Sequence, residues 1–194
     1  MSAPTQSDAM TGGFEAPAFD AAFAFRAVLQ AMARPGRIET VSRAAPPAPI
    51  SAAAGAVILT LCDPETGVYL APGHDTEAAR AWITFHTGAP FVGAEAAMFA
   101  LGTWDALAPL SAYAIGTPEY PDRSATLIVE RDDLRADGTV LSGPGIRDRA
   151  CLNLPEIAAF RANRARFPLG FDCIFTAGAQ LAALPRSTHV TEAI

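Results

Sequence analysis

From Ala44 to Cys62 the chain carries no charged residue, and this stretch closes on Val57-Ile58-Leu59-Thr60-Leu61. Such a run cannot be left facing water, so the rest of the chain has to be arranged around it. Pro46, Pro47 and Pro49 interrupt its first half, and what remains is too short to cross a bilayer. The final five residues are continuous, rich in β-formers and bounded by Asp63-Pro64, which predicts a strand buried on both faces. Val68-Tyr69-Leu70, after a Glu-Thr-Gly turn, is its expected neighbour.

Helical and extended signals mix around that run. Phe25, Val28, Leu29 and Met32 share one face of a helix expected from Ala18 to Ala33, which Pro35 and Gly36 end. Ile38 and Val41 then begin a short extended segment. A second helix starts at Asp75 or Thr76 as cap, with Ala79, Trp82, Ile83 and His86 on one face, and stops at Gly88 before Pro90. Pro155 opens a third, running to about Arg166, with Glu156 in its first turn and Arg164 and Arg166 in its last. Short strands are expected near Phe91-Val92 and from Met98 to Leu101. A stronger one covers Ala125 to Glu130, with Thr139 to Leu141 as its partner beyond an Asp137-Gly138 turn. Cys173 to Thr176 and Leu181 to Leu184 read as a hairpin.

A mixed β-sheet flanked by helices, an α/β fold, follows from this order. Length suits a single domain over residues 15–194, preceded by small polar residues 1–14 that read as a flexible N-terminal tail.

Composition excludes more chemistry than it suggests. The 14 basic residues are all arginine, so no lysine Schiff base, Walker A lysine or lysine general base is available. A net charge of −6 argues against a general nucleic-acid binder. Cys62, Cys151 and Cys173 are odd in number and widely spaced, which reads as reduced thiols in a soluble cytoplasmic protein. His74, His86 and His189 have no metal spacing, and no Gly-x-Ser-x-Gly elbow occurs.

Two loops carry anion-binding chemistry. Ser142-Gly143-Pro144-Gly145-Ile146, followed by Arg147 and Arg149, can turn backbone N–H groups toward an anion, or can be a tight connection with solvated arginines. Pro185-Arg186-Ser187-Thr188-His189 gathers a guanidinium, two hydroxyls and an imidazole, suited to phosphate or phosphonate oxygens or to tying down the chain end. His86 lies on the apolar face of its helix, and His74 sits in a Pro-Gly-His-Asp loop where it can help cap the next helix. Arg161 and Arg164, one turn apart, face either solvent or a partner's carboxylates.

Several segments, in order, resemble the H-subunit family of the carbon–phosphorus lyase system (PhnH). They are Phe25-Arg26 through Met32 with Pro35-Gly36, Leu59 to Asp63, Phe85-His86-Thr87-Gly88-Ala89-Pro90, Gly116-Thr117 and Ala125 to Ile128. Gly143 to Ile146, Phe167 to Asp172 and Pro185 to Val190 complete the set, so the resemblance runs from about Asp20 to Val190. It implies a three-layer sandwich like the large domain of pyridoxal-phosphate transferases, without that cofactor or any other. It implies a cytoplasmic homodimer that joins subunits G, I and J in a core complex of organic phosphonate catabolism, with no nucleic acid and no membrane partner. The complex transfers an alkylphosphonate onto the ribose C1 of ATP and releases adenine. Within it this chain is a subunit without activity in isolation, with ATP or phosphonate at a shared site, or else a dimeric docking scaffold with no ligand site. The resemblance brings no catalytic residue. Gly143, Gly145, Arg186, Ser187, Thr188, His189 and His86 are the candidates for substrate contact.

Overall fold

A computed structural model describes residues 10–192; residues 1–9 of the expected tail lie outside the described residues. Its centre is a six-stranded mixed sheet. In chain order the elements are α1 (Pro17–Ala33), β1 (Glu39–Thr40), α2 (Ala52–Leu61), β2 (Val68–Leu70), α3 (Glu77–Thr87) and β3 (Phe99–Thr103). Then come β4 (Thr126–Glu130), β5 (Thr139–Ser142), β6 (Ala150–Leu152), α4 (Ile157–Arg164), β7 (Asp172–Ala177), β8 (Gln180–Leu184) and β9 (His189–Thr191). The large sheet runs β1-β8-β7-β4-β3-β2, with β2, β3, β4 and β7 parallel and β8 and β1 antiparallel to their neighbours. A second sheet of three antiparallel strands runs β6-β5-β9.

Alternation along the central strands separates two cores, one on each face. Leu101, Ile128, Ile174 and Leu181 point into a core made with α1, α2 and α3. Leu127, Val129, Cys173 and Phe175 point the other way, toward Leu141 and Leu152 of the small sheet and Phe160 of α4. The fold is α/β, with helices on one face of a mixed sheet and a small sheet plus a helix on the other.

The uncharged run is a helix rather than the strand its last five residues suggest. Val57 to Leu61 form the second half of α2, which Ser51 caps by accepting from the Ala54 N–H at 3.2 Å. Ala52 to Ala56, alanine at every position but Gly55, extend the run to ten residues with the best helix former at its start. Ala53 to Ile58 are buried and Leu59 to Leu61 partly so. Such a uniformly apolar run lacks the 3.6-residue period of a surface helix, so buried helix and buried strand look alike. Phe14 and the Ala44–Ile50 loop help enclose it, and Pro46 packs so tightly on Gly55 that a Cβ there would lie 2.6 Å from the ring. The chain before α1 joins this cover: Trp82 donates to the Thr11 carbonyl at 3.0 Å, and Ala45 N–H to that of Gly12 at 2.8 Å.

Helix α1 keeps only part of its expected inner face: Val28 is buried and Met32 packs against the core, but Phe25 and Leu29 do not. Asp20, Ala24, Ala27, Val28 and Ala31 are buried, while Phe25 and Leu29 are half exposed. Alanine lets α1 approach α2 and β8 closely, so the small residues take the inner face. Elsewhere, Thr139 to Leu141 do not pair with β4 but with β6 and β9. Phe91-Val92 contributes only an isolated parallel bridge to Val68. Helix α3 is capped by Thr76 and ended by Gly88 in the left-handed region at φ 70°, and β7–β8 is the expected hairpin. Among the described residues no helix is long and apolar enough to cross a membrane.

Candidate functional site

The two anion-binding loops meet at one end of the small sheet. Ser142 of β5 stands opposite His189 of β9, so Gly143 leaves its strand where the Arg-Ser-Thr-His segment enters the other. A Cβ on Gly143 would lie 3.4 Å from the Ser187 carbonyl oxygen and 3.5 Å from His189 Cδ2. Helix α4 packs alongside β9 and adds two arginines. Arg164 Nη2 lies 3.2 Å from His189 Nε2, and its guanidinium carbon sits 4.8 Å above the Phe167 ring. A guanidinium only donates, so Nε2 is the acceptor in this pairing. Arg161 Nε donates to the Val190 carbonyl at 3.1 Å and occupies the edge of β9.

Not every candidate points toward this corner. Arg186 is largely buried and its donors are taken up inside the chain: Nε and Nη2 on Asp172 at 3.1 and 2.6 Å, Nη1 on the Pro121 carbonyl at 2.7 Å, and Nη2 also on Ser124. Its own N–H donates to Asp172 Oδ1 at 2.7 Å. This guanidinium ties the start of the tail to β7 and to the loop before β4. Gly145 lies against α1, where a Cβ would collide with the Ala33 carbonyl, so its positive φ of 81° serves a close approach. Thr188 is buried, and its hydroxyl has no hydrogen-bond partner among the described residues. Ser187 is half-buried beside Gly143.

His86 belongs to the opposite face of the large sheet. Its ring packs 5.0 Å from Trp82 and 4.9 Å from Phe85, Nε2 lies 3.4 Å from the Thr11 carbonyl oxygen, and Gly13 presses on the imidazole. It secures the segment before α1. His74 is buried after β2, and removal from water pushes its pKa below the ordinary imidazole value. Arg147 and Arg149 are exposed on the loop that rests on the end of α1.

Two features escape a reading by local pattern. Glu130, at the end of β4, is largely buried and accepts from the Ser51 N–H at 2.7 Å and the Thr176 hydroxyl at 2.9 Å. Burial pushes its carboxyl above the usual range despite those donors. The second is the outer surface of α1, where Phe19 and Phe23 stand on one flank and Phe25 and Leu29 on the other, all exposed. The alanine stripe Ala24-Ala27-Ala31 could have shown which face of α1 is inward.

Comparison with known proteins places these features in a family. Residues 12–191 match the family model for "Bacterial phosphonate metabolism protein (PhnH)". The chain is 42% identical to "Alpha-D-ribose 1-methylphosphonate 5-triphosphate synthase subunit PhnH" of Rhizobium meliloti (strain 1021), over 95% of this chain and 97% of the relative. It is 30% identical to "Putative C-P lyase subunit protein HtxG" of Stutzerimonas stutzeri, over 86% and 84% of the respective chains.

Proposed function

We propose, starting from the fact that this chain belongs to the PhnH family of bacterial phosphonate metabolism proteins, that it is a docking subunit of the carbon–phosphorus lyase core complex. There it supports the step in which a phosphonate oxygen bonds to the ribose C1 of ATP while the bond to adenine breaks, the triphosphate staying on C5. Its partners are a second copy of itself and subunits G, I and J, in the cytoplasm, and it has no turnover alone.

The observation that carries this reading is the outward face of α1. Phe19, Phe23, Phe25 and Leu29 are 71%, 58%, 51% and 52% exposed on one helix whose only outward charge is Arg26. Together they leave roughly 400 Å² of apolar side chain open, the size of a typical monomer's largest apolar patch, which is often a functional one. A subunit covers such a face with a partner. The fold is read as related to the large domain of pyridoxal-phosphate transferases, supported by the parallel β2-β3-β4-β7 core with an antiparallel β8. The lysine-free sequence offers no aldimine anchor for that cofactor.

Around the small sheet, the His189–Arg164 corner with Gly143 and Ser187 is the surface for phosphonate oxygens. The scaffold reading, with no ligand site there, is favoured by one specific fact: Arg186 and Gly145 are spent on internal ties. Co-purification with subunits G, I and J, with mass from light scattering, tests the assignment. A stoichiometric complex containing paired copies of this chain is expected. A chain that ignores all three partners overturns the reading.

A further inference from the structure

A groove of about 470 Å³ runs between α1 and the edge strand β1, on the Phe23 side of the helix and away from Phe25 and Leu29. Arginines reach it from three segments: Arg26 from α1, Arg37 before β1 and Arg43 after it. A second cavity of about 480 Å³ adjoins it through Asp20, Ser42 and Arg43. The volume suits a small-molecule ligand.

Charge in the groove is uneven. Arg43 Nη1 donates to Asp20 at 2.6 Å, holding that carboxyl below its usual range, and its guanidinium lies 4.5 Å over Phe23. Arg37 pairs through Nε with Glu39. Arg26 faces no carboxylate among the described residues, so three guanidiniums meet two acids. Each paired arginine uses one of its nitrogens on the carboxylate, leaving further N–H groups to donate. Strand β1 adds backbone capacity: it pairs only with β8, and Val41 N–H donates to Ala179 on that side at 2.7 Å. Alternation turns the Thr40 N–H to the open side, where it has no acceptor among the described residues. In a chain of net charge −6, the groove lining carries one more guanidinium than carboxylates, and Glu15 lines only the adjoining cavity.

We infer that this groove binds a polyphosphate ester. One phosphate or carboxylate needs one or two guanidinium forks, whereas a phosphate chain uses a row of them supplied from separate segments. The inference deepens the function proposed above and rests on it for the identity of the ester, the 5′-triphosphate of the nucleotide substrate.

Calorimetric titration of the full chain with tripolyphosphate, ATP and adenosine tests it. Tripolyphosphate and ATP should bind with similar affinity and adenosine should not. Combined Arg26→Ala and Arg37→Ala should weaken both by about tenfold or more. Ser42→Glu, which removes no tie, should weaken them in the same direction, and Arg123→Ala, a charge lost elsewhere, should change nothing. Absence of tripolyphosphate binding, or unchanged affinity in both groove variants, overturns the inference. If the groove variants bind normally while the chain still joins its partners, the groove falls and the subunit reading stands. If tripolyphosphate binds as expected but no partner is recruited, the anion site stands and the identity of its ester falls.

Discussion

On one face of the central sheet, three helices bring alanines, Trp82 and Ile83 against Leu101, Ile128 and Ile174. On the other face, the small sheet and α4 cover Leu127, Val129 and Phe175, but side-chain polar bonds fix how they sit. Asn163 exchanges two bonds with the Phe171 backbone at 2.8 and 3.0 Å, Arg161 holds Val190, and Arg186 holds Asp172, Ser124 and Pro121. The helical layer closes mainly by shape, with few polar ties, and apolar side chains of α1 face outward beside the arginine groove. The opposite layer closes by directed bonds and turns arginine and histidine outward. A face closed by packing is free to carry a second apolar surface, and a face closed by polar ties keeps its charges in reach of solvent.

The largest effect belongs to the helical layer. Trp82 is fully buried at its centre and also holds the segment before α1. Trp82→Ala should cost about 3–5 kcal/mol, read from urea denaturation. Arg186→Ala follows on the other face. It leaves Asp172, with a side chain only 17% exposed, without its cation, and should cost about 3 kcal/mol. Arg186→Lys should recover only part, because one ammonium cannot span Asp172, Ser124 and Pro121 together. Full stability with lost turnover of the assembled complex would break the comparison, since the guanidinium would then be serving a ligand.

Glu130 ties the helical layer to the central sheet and gives a smaller, pH-dependent effect. Its folded pKa is raised, so the native state holds the proton more tightly than the unfolded chain. Its contribution is therefore fully present below the ordinary carboxylate value and declines as pH rises through the raised one. Glu130→Gln keeps an acceptor for the Ser51 N–H and should lie within about 1 kcal/mol of the parent at neutral pH. Denaturation from acid to neutral pH should show the variant gaining stability relative to the parent as pH rises past the ordinary carboxylate value. An unchanged profile would mean that another group carries the dependence.

What could be read in advance follows the same division between local and non-local causes. Thr76 as cap, Gly88 as stop and the β7–β8 hairpin each depend on a few neighbouring residues, so their signals survive in the sequence. Val57–Leu61 shows no helical period because α2 is apolar and largely buried, and the inner face of α1 is hidden because alanine carries a weak hydrophobic signal beside phenylalanine. The meeting of Gly143 with His189 depends on β5 pairing with a strand some forty-seven residues later, Ser142 against His189, which no local pattern announces. Arg186 carried the right chemistry for an anion, but only its surroundings decide that Asp172 is the anion.

The smallest effect on stability should accompany the clearest effect on assembly. Phe25 and Leu29 lie on the flank of α1 away from the arginine groove and are half exposed, so serine at both should shift folding stability by no more than about 0.5 kcal/mol each. In a docking subunit the same change removes apolar contact from an interface where a few large side chains carry most of the binding energy. Recovery of G, I and J partners on the double variant should therefore fall at least about tenfold while its urea midpoint stays near the parent's. Equal recovery would leave α1 as an apolar surface without a partner and move the docking contact to the polar face. A large loss of stability instead would mean that α1 closes its own layer with these side chains, erasing the distinction between the two faces.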